Sequence, residues 1–99
     1  MLDTIKRSIR INNNSFDEEI LLLIESCKLD LKTSGVAPSL IKEESSLIKQ
    51  AIILYCKANF GFDNQEADRF NRSYNLLKSS LSLVSESLLV EVTTESESD

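Results

Sequence analysis

Apolar residues recur at intervals of three and four along most of this chain, and that spacing places them on one face of an α-helix. In the first stretch, basic residues stand between three apolar positions, Leu2, Ile5 and Ile9. Three consecutive asparagines follow at 12–14, and asparagine tolerates turns and competes for backbone hydrogen bonds. The pattern therefore predicts a short amphipathic helix that ends before the asparagine run.

A second helix is predicted to begin at Ser15. The sequence at 15–18 has the form of a capping box, in which the serine accepts from the third amide and Glu18 reaches back. Gly35 is placed to adopt the left-handed conformation that commonly ends a helix. The predicted apolar stripe consists of Phe16, Ile20, Leu23, Ile24, Cys27 and Leu31.

The third helix is expected after a connector at 36–38 and one loose turn within 39–44. It opens at Ser45 or Ser46 and ends at Gly61. A helix that is apolar around much of its circumference is usually buried on more than one side. We therefore predict that it forms the centre of the core, through Leu47, Ile48, Ala51, Ile52, Leu54, Tyr55 and Ala58.

The fourth helix is predicted to be capped by Asp63 or Asn64. Its apolar positions have strict three-four spacing, which is also typical of a coiled-coil seam, but the pattern spans fewer than three heptads. We therefore expect this helix to pack on the third helix within the monomer. Its predicted stripe consists of Ala67, Phe70, Tyr74, Leu77, Leu81 and Val84.

Composition supports a helical fold. Two glycines and one proline among 99 residues leave little material for the turns of a strand-rich domain. We expect an all-α fold: a small bundle of about four helices over residues 1–84, with a flexible acidic C-terminal tail at 85–99. The tail alternates serine and threonine with acids, a composition that favours disorder until a partner is bound.

Charge and hydropathy narrow the possible partners. Residues 1–84 hold eleven basic and eleven acidic side chains, so the whole net charge of −5 lies in the tail. A neutral body lacks the basic surface that phosphate binding requires. The one basic cluster, Lys6, Arg7 and Arg10, is interpreted as the solvated side of the first helix. The apolar run at 20–24 is far too short to cross a bilayer, so no membrane partner is expected.

The sequence offers little catalytic or metal chemistry. It has no histidine, and a zinc site needs four closely spaced ligands, whereas Cys27 and Cys56 stand far apart. Both cysteines are interpreted as buried free thiols in a reducing compartment. The acidic stretch at 63–68 lacks the glycine and the final glutamate of a calcium loop. We therefore predict no catalytic, cofactor or metal residue, and no enzyme.

Two segments are candidate interaction surfaces. Phe60 and Phe62 flank Gly61 between two helices, where either both rings fold back onto the bundle or one of them meets a neighbouring subunit. In the tail, a short apolar segment either frays or becomes ordered on a partner. That segment contains Leu88, Leu89, Val90 and Val92.

Three parts of the chain carry a family resemblance through their order and spacing. The first is the opening, where Leu2, Ile5 and Arg10-Ile11 precede the asparagine turn and the segment Phe16-Asp17-Glu18-Glu19-Ile20. The second is the end of the third helix, at 51–61. The third lies in the fourth helix and consists of Arg69-Phe70, Ser73-Tyr74 and Leu77-Lys78. Together they resemble the small head–tail connector proteins of long-tailed bacteriophages, over residues 2–83. Ile9 stands where the pattern has leucine, and the tail has no counterpart in it.

This resemblance implies a structural subunit of the virion, made in the bacterial cytoplasm, that forms a homo-oligomeric ring beneath the portal protein. The ring would extend the DNA channel without specific DNA binding and would support a stopper or tail-completion protein, while the C-terminal segment engages the portal. The acidic tail supports a different hypothesis, a small regulatory binding module, antitoxin-like or anti-repressor, that acts on a basic partner.

Overall fold

The computed structural model describes residues 1–61 and 65–98, with the side chains of 1–61 and 65–86. Within this part of the chain there is no strand, which confirms the all-α fold. A 3₁₀ turn at Pro38–Leu40 lies in the long connection between the second and third helices. The four α-helices are α1 (Leu2–Ser8), α2 (Asp17–Thr33), α3 (Ser46–Asn59) and α4 (Ala67–Ser98).

Helix α3 forms the centre of the core, as its apolar circumference predicted, but Leu47, which was predicted to belong to that core, is 49% exposed. It packs against α1, α2 and α4, and its Ile48, Ala51, Ile52 and Cys56 are almost completely buried. A fully buried isoleucine side chain stabilises the fold by about 1.5–3 kcal/mol relative to an exposed one. The other fully or nearly fully buried apolar residues are Ile5 of α1, Ile20, Ile24, Cys27 and Leu31 of α2, Val36, and Tyr74 and Leu81 of α4.

The predicted capping box at the start of α2 is wrong. The helix begins at Asp17, Phe16 occupies the N-cap position, and no side chain caps the helix. The backbone amide of Ser15 instead donates to the side-chain oxygen of Asn13 at 3.0 Å. Asparagine side chains compete for nearby backbone amides. Here Asn13, and not Ser15, supplies the side-chain oxygen that accepts a backbone hydrogen bond in the turn before α2.

The predicted end of α2 at Gly35 is confirmed. Gly35 has a φ of +103°, the left-handed region in which glycine carries no Cβ penalty. The amide of Val36 donates to the Leu31 carbonyl at 3.0 Å, and the amide of Gly35 donates to Lys32 at 3.2 Å. These two bonds form a Schellman motif, in which Val36 packs as the usual apolar residue just beyond the helix.

The predicted limits of α3 are confirmed. Ser45 is the N-cap residue, although its side chain makes no capping bond. At the other end Phe60 is extended and Gly61 has a φ of +92°, so the helix stops at Asn59. The predicted caps of α4, Asp63 and Asn64, lie outside the described residues, and α4 itself begins at Ala67.

Helix α4 packs mainly on α3, as predicted, but its buried stripe differs at the C-terminal end. Tyr74 and Leu81 are buried, whereas Val84 is 49% exposed and Ser85 is 1% exposed. Positions 84 and 85 can both continue a helical stripe from Leu81, and the contact of Ser85 with Ala37 makes 85 the buried one. The backbone of α4 continues to Ser98, across the predicted boundary at 84, and the division into body and tail stays a prediction.

Candidate assembly surfaces

A polar cluster joins the inner sides of α2 and α4. The Tyr74 hydroxyl donates to Asp30 Oδ2 at 2.6 Å, and Lys78 Nζ lies 3.0 Å from the same oxygen. The thiol of Cys27 contacts the Tyr74 oxygen at 3.7 Å. Sequence reasoning missed this cluster because Asp30 and Lys78 flank the apolar stripes and carry no motif of their own.

The protonation of this cluster follows from its contacts. Burial acts to raise the pKa of Asp30, but the bonds from Tyr74 and Lys78 outweigh burial and hold that pKa below its ordinary value. Burial, followed by the bond to the Asp30 carboxylate, raises the pKa of Tyr74. At neutral pH a neutral phenol and an ammonium group therefore face a carboxylate, an arrangement that fixes two helices relative to each other.

A second group of bonds joins α4 to the connection after α2. The Ser85 hydroxyl accepts from the Ala37 amide at 2.8 Å and donates to the Leu81 carbonyl at 3.0 Å. The Ser82 hydroxyl donates to the Ser34 carbonyl at 2.9 Å. These bonds satisfy backbone groups that would otherwise lack partners at the end of α2.

The order of these contacts gives the relative direction of the two helices. Asp30 meets Tyr74 and Lys78, while Ser34 meets Ser82, so the numbers on both helices rise together. Helices α2 and α4 are therefore parallel within the subunit, with α3 between them in the chain.

The two cysteines are buried and free, as predicted. Burial raises the pKa of Cys27 to about 11 and that of Cys56 to about 12. Both are therefore protonated thiols at neutral pH, and the thiolate is the nucleophilic form. They fill space in the core and offer no reactive group at the surface.

The basic cluster of α1 is only partly solvated, in contrast to the prediction. Lys6 Nζ lies 2.9 Å from Asp17 Oδ1 and 2.9 Å from Asn14 Oδ1, so it connects α1 to the start of α2. Arg7 and Arg10 are exposed. One of the three cations is thus committed to an internal ion pair, and the cluster is smaller than its sequence indicated.

The first candidate surface lies where α3 ends. Phe60 is half-buried, and its ring meets that of Phe16 edge to face, with the centroids 5.4 Å apart. The two rings line a shallow groove with Glu19, Asn59 and Gly61. Phe60 thus folds back onto the bundle, while Phe16 is 41% exposed. Phe62 lies outside the described residues. An interface with a neighbouring subunit at Phe60 or Phe62 stays a prediction.

The second candidate surface lies in the C-terminal part of α4. The backbone there is helical as far as Ser98. The side chains of Leu88, Leu89, Val90 and Val92 lie outside those that the structure describes. Their proposed role at a partner therefore stays a prediction.

Two further surfaces were missed in the sequence. The α2 outer face carries Leu22 and Leu29, which are 67% and 62% exposed, and the α4 outer face carries Leu76 and Leu83, which are 72% and 64% exposed. In each pair the leucines are two helical turns apart and lie outside the predicted stripe. The α2 outer face comprises Glu18, Leu22, Glu25, Leu29 and Lys32, and the α4 outer face comprises Arg72, Leu76, Ser79, Leu83 and Glu86.

Both outer faces are unoccupied within the subunit. All ten side chains are exposed. Among the described residues, Glu18, Lys32, Arg72 and Glu86 make no ion pair. Glu25, between Leu22 and Leu29, pairs with Lys28 at 3.4 Å. Exposed apolar patches with a polar rim are typical of surfaces that meet another protein.

Searches of the described residues for other kinds of site gave negative results. They contain no group of three or more histidine, cysteine, aspartate or glutamate side chains that could hold a metal ion. None of the helices in this part of the chain has the length and apolar character needed to cross a membrane.

Comparison with known proteins gives one family match. The sequence model of a family described as phage connector protein matches residues 1–87. Neither the search of curated proteins nor the search of solved structures gave a match. The matched range includes α1, α2, α3 and all of the described side chains of α4.

Proposed function

The chain belongs to the phage connector protein family, and from this premise we propose that it is a subunit of a ring beneath the portal at the head–tail junction. Its role is structural. The ring extends the channel for DNA and presents a platform to the stopper or tail-completion protein. The observation that carries the proposal is the family match over residues 1–87.

Features of the described chain support this proposal. A rigid α3-centred core with two unoccupied helix faces suits a building block that contacts copies of itself on two sides. One heterologous contact, repeated around an axis, closes into a ring. The eleven positive and eleven negative charges of residues 1–84 leave no basic excess for gripping DNA, which suits a channel through which DNA moves.

Docking to the portal is assigned to the end of α4. The acidic and apolar residues beyond Glu86 form a segment that can bind as a helix in a groove, a common mode of peptide recognition. Phe60 and Phe62 are a second candidate contact, with a neighbouring subunit. Both assignments are proposals for mutagenesis.

Native mass spectrometry of the full chain over a range of concentrations tests the ring. We expect a closed oligomer of roughly ten or more subunits, because a repeated heterologous contact grows until it closes. If the protein alone stays monomeric, the same measurement with the portal protein of the same phage should show many copies bound per portal ring. No assembly in either sample would contradict the proposal.

A truncation after Glu86 tests the portal contact. The cut leaves Ser85 and its bond to Ala37 in place, so the bundle should stay folded by circular dichroism. We expect weaker portal binding with the ring contact preserved. If the truncated chain binds the portal as well as the full chain does, the assignment is wrong. Salt-sensitive binding of the full chain to a basic partner, as a dimer that never grows, would support the regulatory-module hypothesis instead.

A further inference from the structure

The two outer faces share one spacing. Along α2 the positions are 18, 22, 25, 29 and 32, and along α4 they are 72, 76, 79, 83 and 86, so both follow alternating steps of four and three. This is the spacing with which two helices pack side by side along a seam. Adding 54 to each position on α2 gives the corresponding position on α4.

We propose that the ring contact pairs the α4 outer face of one subunit with the α2 outer face of the next, in parallel and at this offset. The inference rests on the proposed function and names the surfaces that perform it. At this register Leu76 lies against Leu22, and Leu83 lies against Leu29. The occupant of each face is thus a second copy of this chain.

Charge complementarity supports the register. At the N-terminal end of the seam Arg72 lies opposite Glu18, and at the C-terminal end Glu86 lies opposite Lys32. The central pair places the Ser79 hydroxyl, a donor, opposite the carboxylate of Glu25. The four charges that make no ion pair with the described residues, Glu18, Lys32, Arg72 and Glu86, thereby each gain a partner of opposite sign, whereas Glu25 already pairs with Lys28. Complementary charges of this kind fix the register of an interface.

The antiparallel alternative opposes like charges. Turning α4 around keeps the leucines in contact, with Leu83 against Leu22, but brings Glu86 toward Glu18 and Arg72 toward Lys32. Juxtaposed like charges disfavour a contact. The charge pattern therefore selects the parallel arrangement from two that the leucines alone permit.

The parallel arrangement is also the one that a ring requires. Helices α2 and α4 point the same way within the subunit, as the Asp30–Tyr74 and Ser34–Ser82 contacts show. Rotation by the small step of a ring of roughly ten or more subunits leaves neighbouring helices pointing nearly the same way. Neighbouring α4 and α2 helices in such a ring are therefore parallel, and each subunit uses both of its outer faces. The offset of 54 exceeds by six residues the offset between Ser34 and Ser82 within the subunit, so the helices must tilt from the ring axis for neighbours to stagger along them and the ring still to close.

The surface beside Leu29 can accept a side chain from a neighbour. A shallow groove there is lined by Pro38 and Ile41 from the connection, with Lys28 and Lys32 at its rim. On α4, Leu83 is exposed and lines a shallow depression together with Ser79 and Ser82. The two faces are complementary in shape. One has an exposed leucine next to small residues, and the other has an apolar groove beside a leucine.

Charge exchange in the full chain tests the pairing. Arg72→Glu and Glu18→Arg should each lower the association constant about tenfold or more in sedimentation at moderate salt, because each places like charges in contact. The double variant restores the opposite-sign pair and should return to within about threefold of the wild type. The matched controls are Lys49→Glu and Glu44→Arg, which alter exposed charges outside both faces. They should change the association constant little.

Two results of the exchange would overturn the proposal. One is a double variant whose association constant is no higher than those of the single variants. The other is rescue of Arg72→Glu by Glu86→Arg in place of Glu18→Arg, because those two residues meet if two α4 helices pair antiparallel in a twofold dimer.

Cross-linking separates this inference from the proposed function. A chain carrying Leu22→Cys and Leu76→Cys, treated at high concentration with a short bismaleimide, should give a ladder of covalent oligomers beyond the dimer. Cys27 and Cys56 are buried thiols and should not react. Leu47→Cys with Leu76→Cys, which pairs α3 with α4, is the control.

A ladder supports the contact even if closed rings form only on the portal. A ladder no stronger than the control overturns the contact, even if native mass spectrometry shows a ring and the proposed function stands.

Discussion

The inner and outer sides of α2 and α4 are built differently. On the inner sides, apolar residues at steps of three and four are buried, and the polar groups among them, such as Asp30 and Ser85, have partners within the subunit. On the outer sides, leucines recur only every seventh residue, and the charges at the ends of each face, Glu18, Lys32, Arg72 and Glu86, make no ion pair with the described residues, while Glu25 pairs with Lys28. The inner sides thus hold one subunit together, while the outer sides are suited to join two.

This difference shows why polar residues need to be judged by their partners. Asp30 and Glu18 are both acids on α2, yet Asp30 has two donors at one carboxylate oxygen, whereas Glu18 has none among the described residues. Substitution of the first should affect folding, and substitution of the second should affect association.

Ile52→Ala removes a fully buried side chain from the centre of the core. We expect the free energy of unfolding to fall by about 2–5 kcal/mol, since the lost burial adds to the cost of the cavity. Urea denaturation followed by circular dichroism measures it. A loss below about 1 kcal/mol, the scale of a surface substitution, would show that α3 is not the centre of the core.

Ser85→Ala leaves the Ala37 amide without its acceptor. We expect a loss of about 1–3 kcal/mol in the same measurement, the cost of an unsatisfied polar group away from water. The adjacent Val84→Ala is the matched control, because Val84 is half exposed and should matter little. Equal effects of the two substitutions would mean that the buried side of α4 follows the sequence stripe after all.

Asp30→Asn removes the charge that pairs with Lys78 and should lower the free energy of unfolding by about 1 kcal/mol at pH 7. The effect is small because the carboxyl group is partly exposed. The pKa of Asp30 is lowered in the folded state, so its contribution is complete above the ordinary value of 3.8. The contribution is lost as the pH falls through the lowered folded value. Unfolding curves of the wild type and the variant should therefore differ at pH 7 and converge in acid. A difference that persists unchanged at the lowest pH would assign the effect to shape instead of charge.

Leu22→Ala and Leu76→Ala should change the free energy of unfolding of the monomer by no more than about 0.5 kcal/mol, because both side chains already face solvent. Both should nevertheless weaken association, which sedimentation of the same samples measures. A large loss of monomer stability would place these leucines with the inner sides and remove the distinction between the two surfaces.

Much of the fold could be predicted from local pattern. The end of α2 at Gly35, the limits of α3 and the packing of α4 on α3 all follow from short-range signals: a glycine in the left-handed region, a serine before a helix, and a dense apolar stripe. The start of α2 could not be predicted in the same way. The side chains of Asn13 and Ser15 can each accept a hydrogen bond from backbone amides in this turn, and the capping-box pattern does not indicate which of them does so.

The candidate surfaces show the same division. Phe60 was found because an aromatic ring beside a loop glycine is conspicuous, and the structure adds that it packs on Phe16, a residue 44 positions away. The outer leucines were overlooked because a helix with one dense stripe gives no reason to examine a sparse second one. Their exposure could be recognised only after the inner side of each helix was known.

The sequence by itself determined the helical class, the number of helices, most of their limits and the family, because these depend on contacts between residues close in the chain or on a pattern along it. Only the tertiary structure decided that Ser85 is buried in place of Val84, that Asp30 joins α2 to Tyr74 and Lys78, and that α2 and α4 run parallel. Those features depend on residues more than 40 positions apart, and which of them meet is set by how the helices pack around α3.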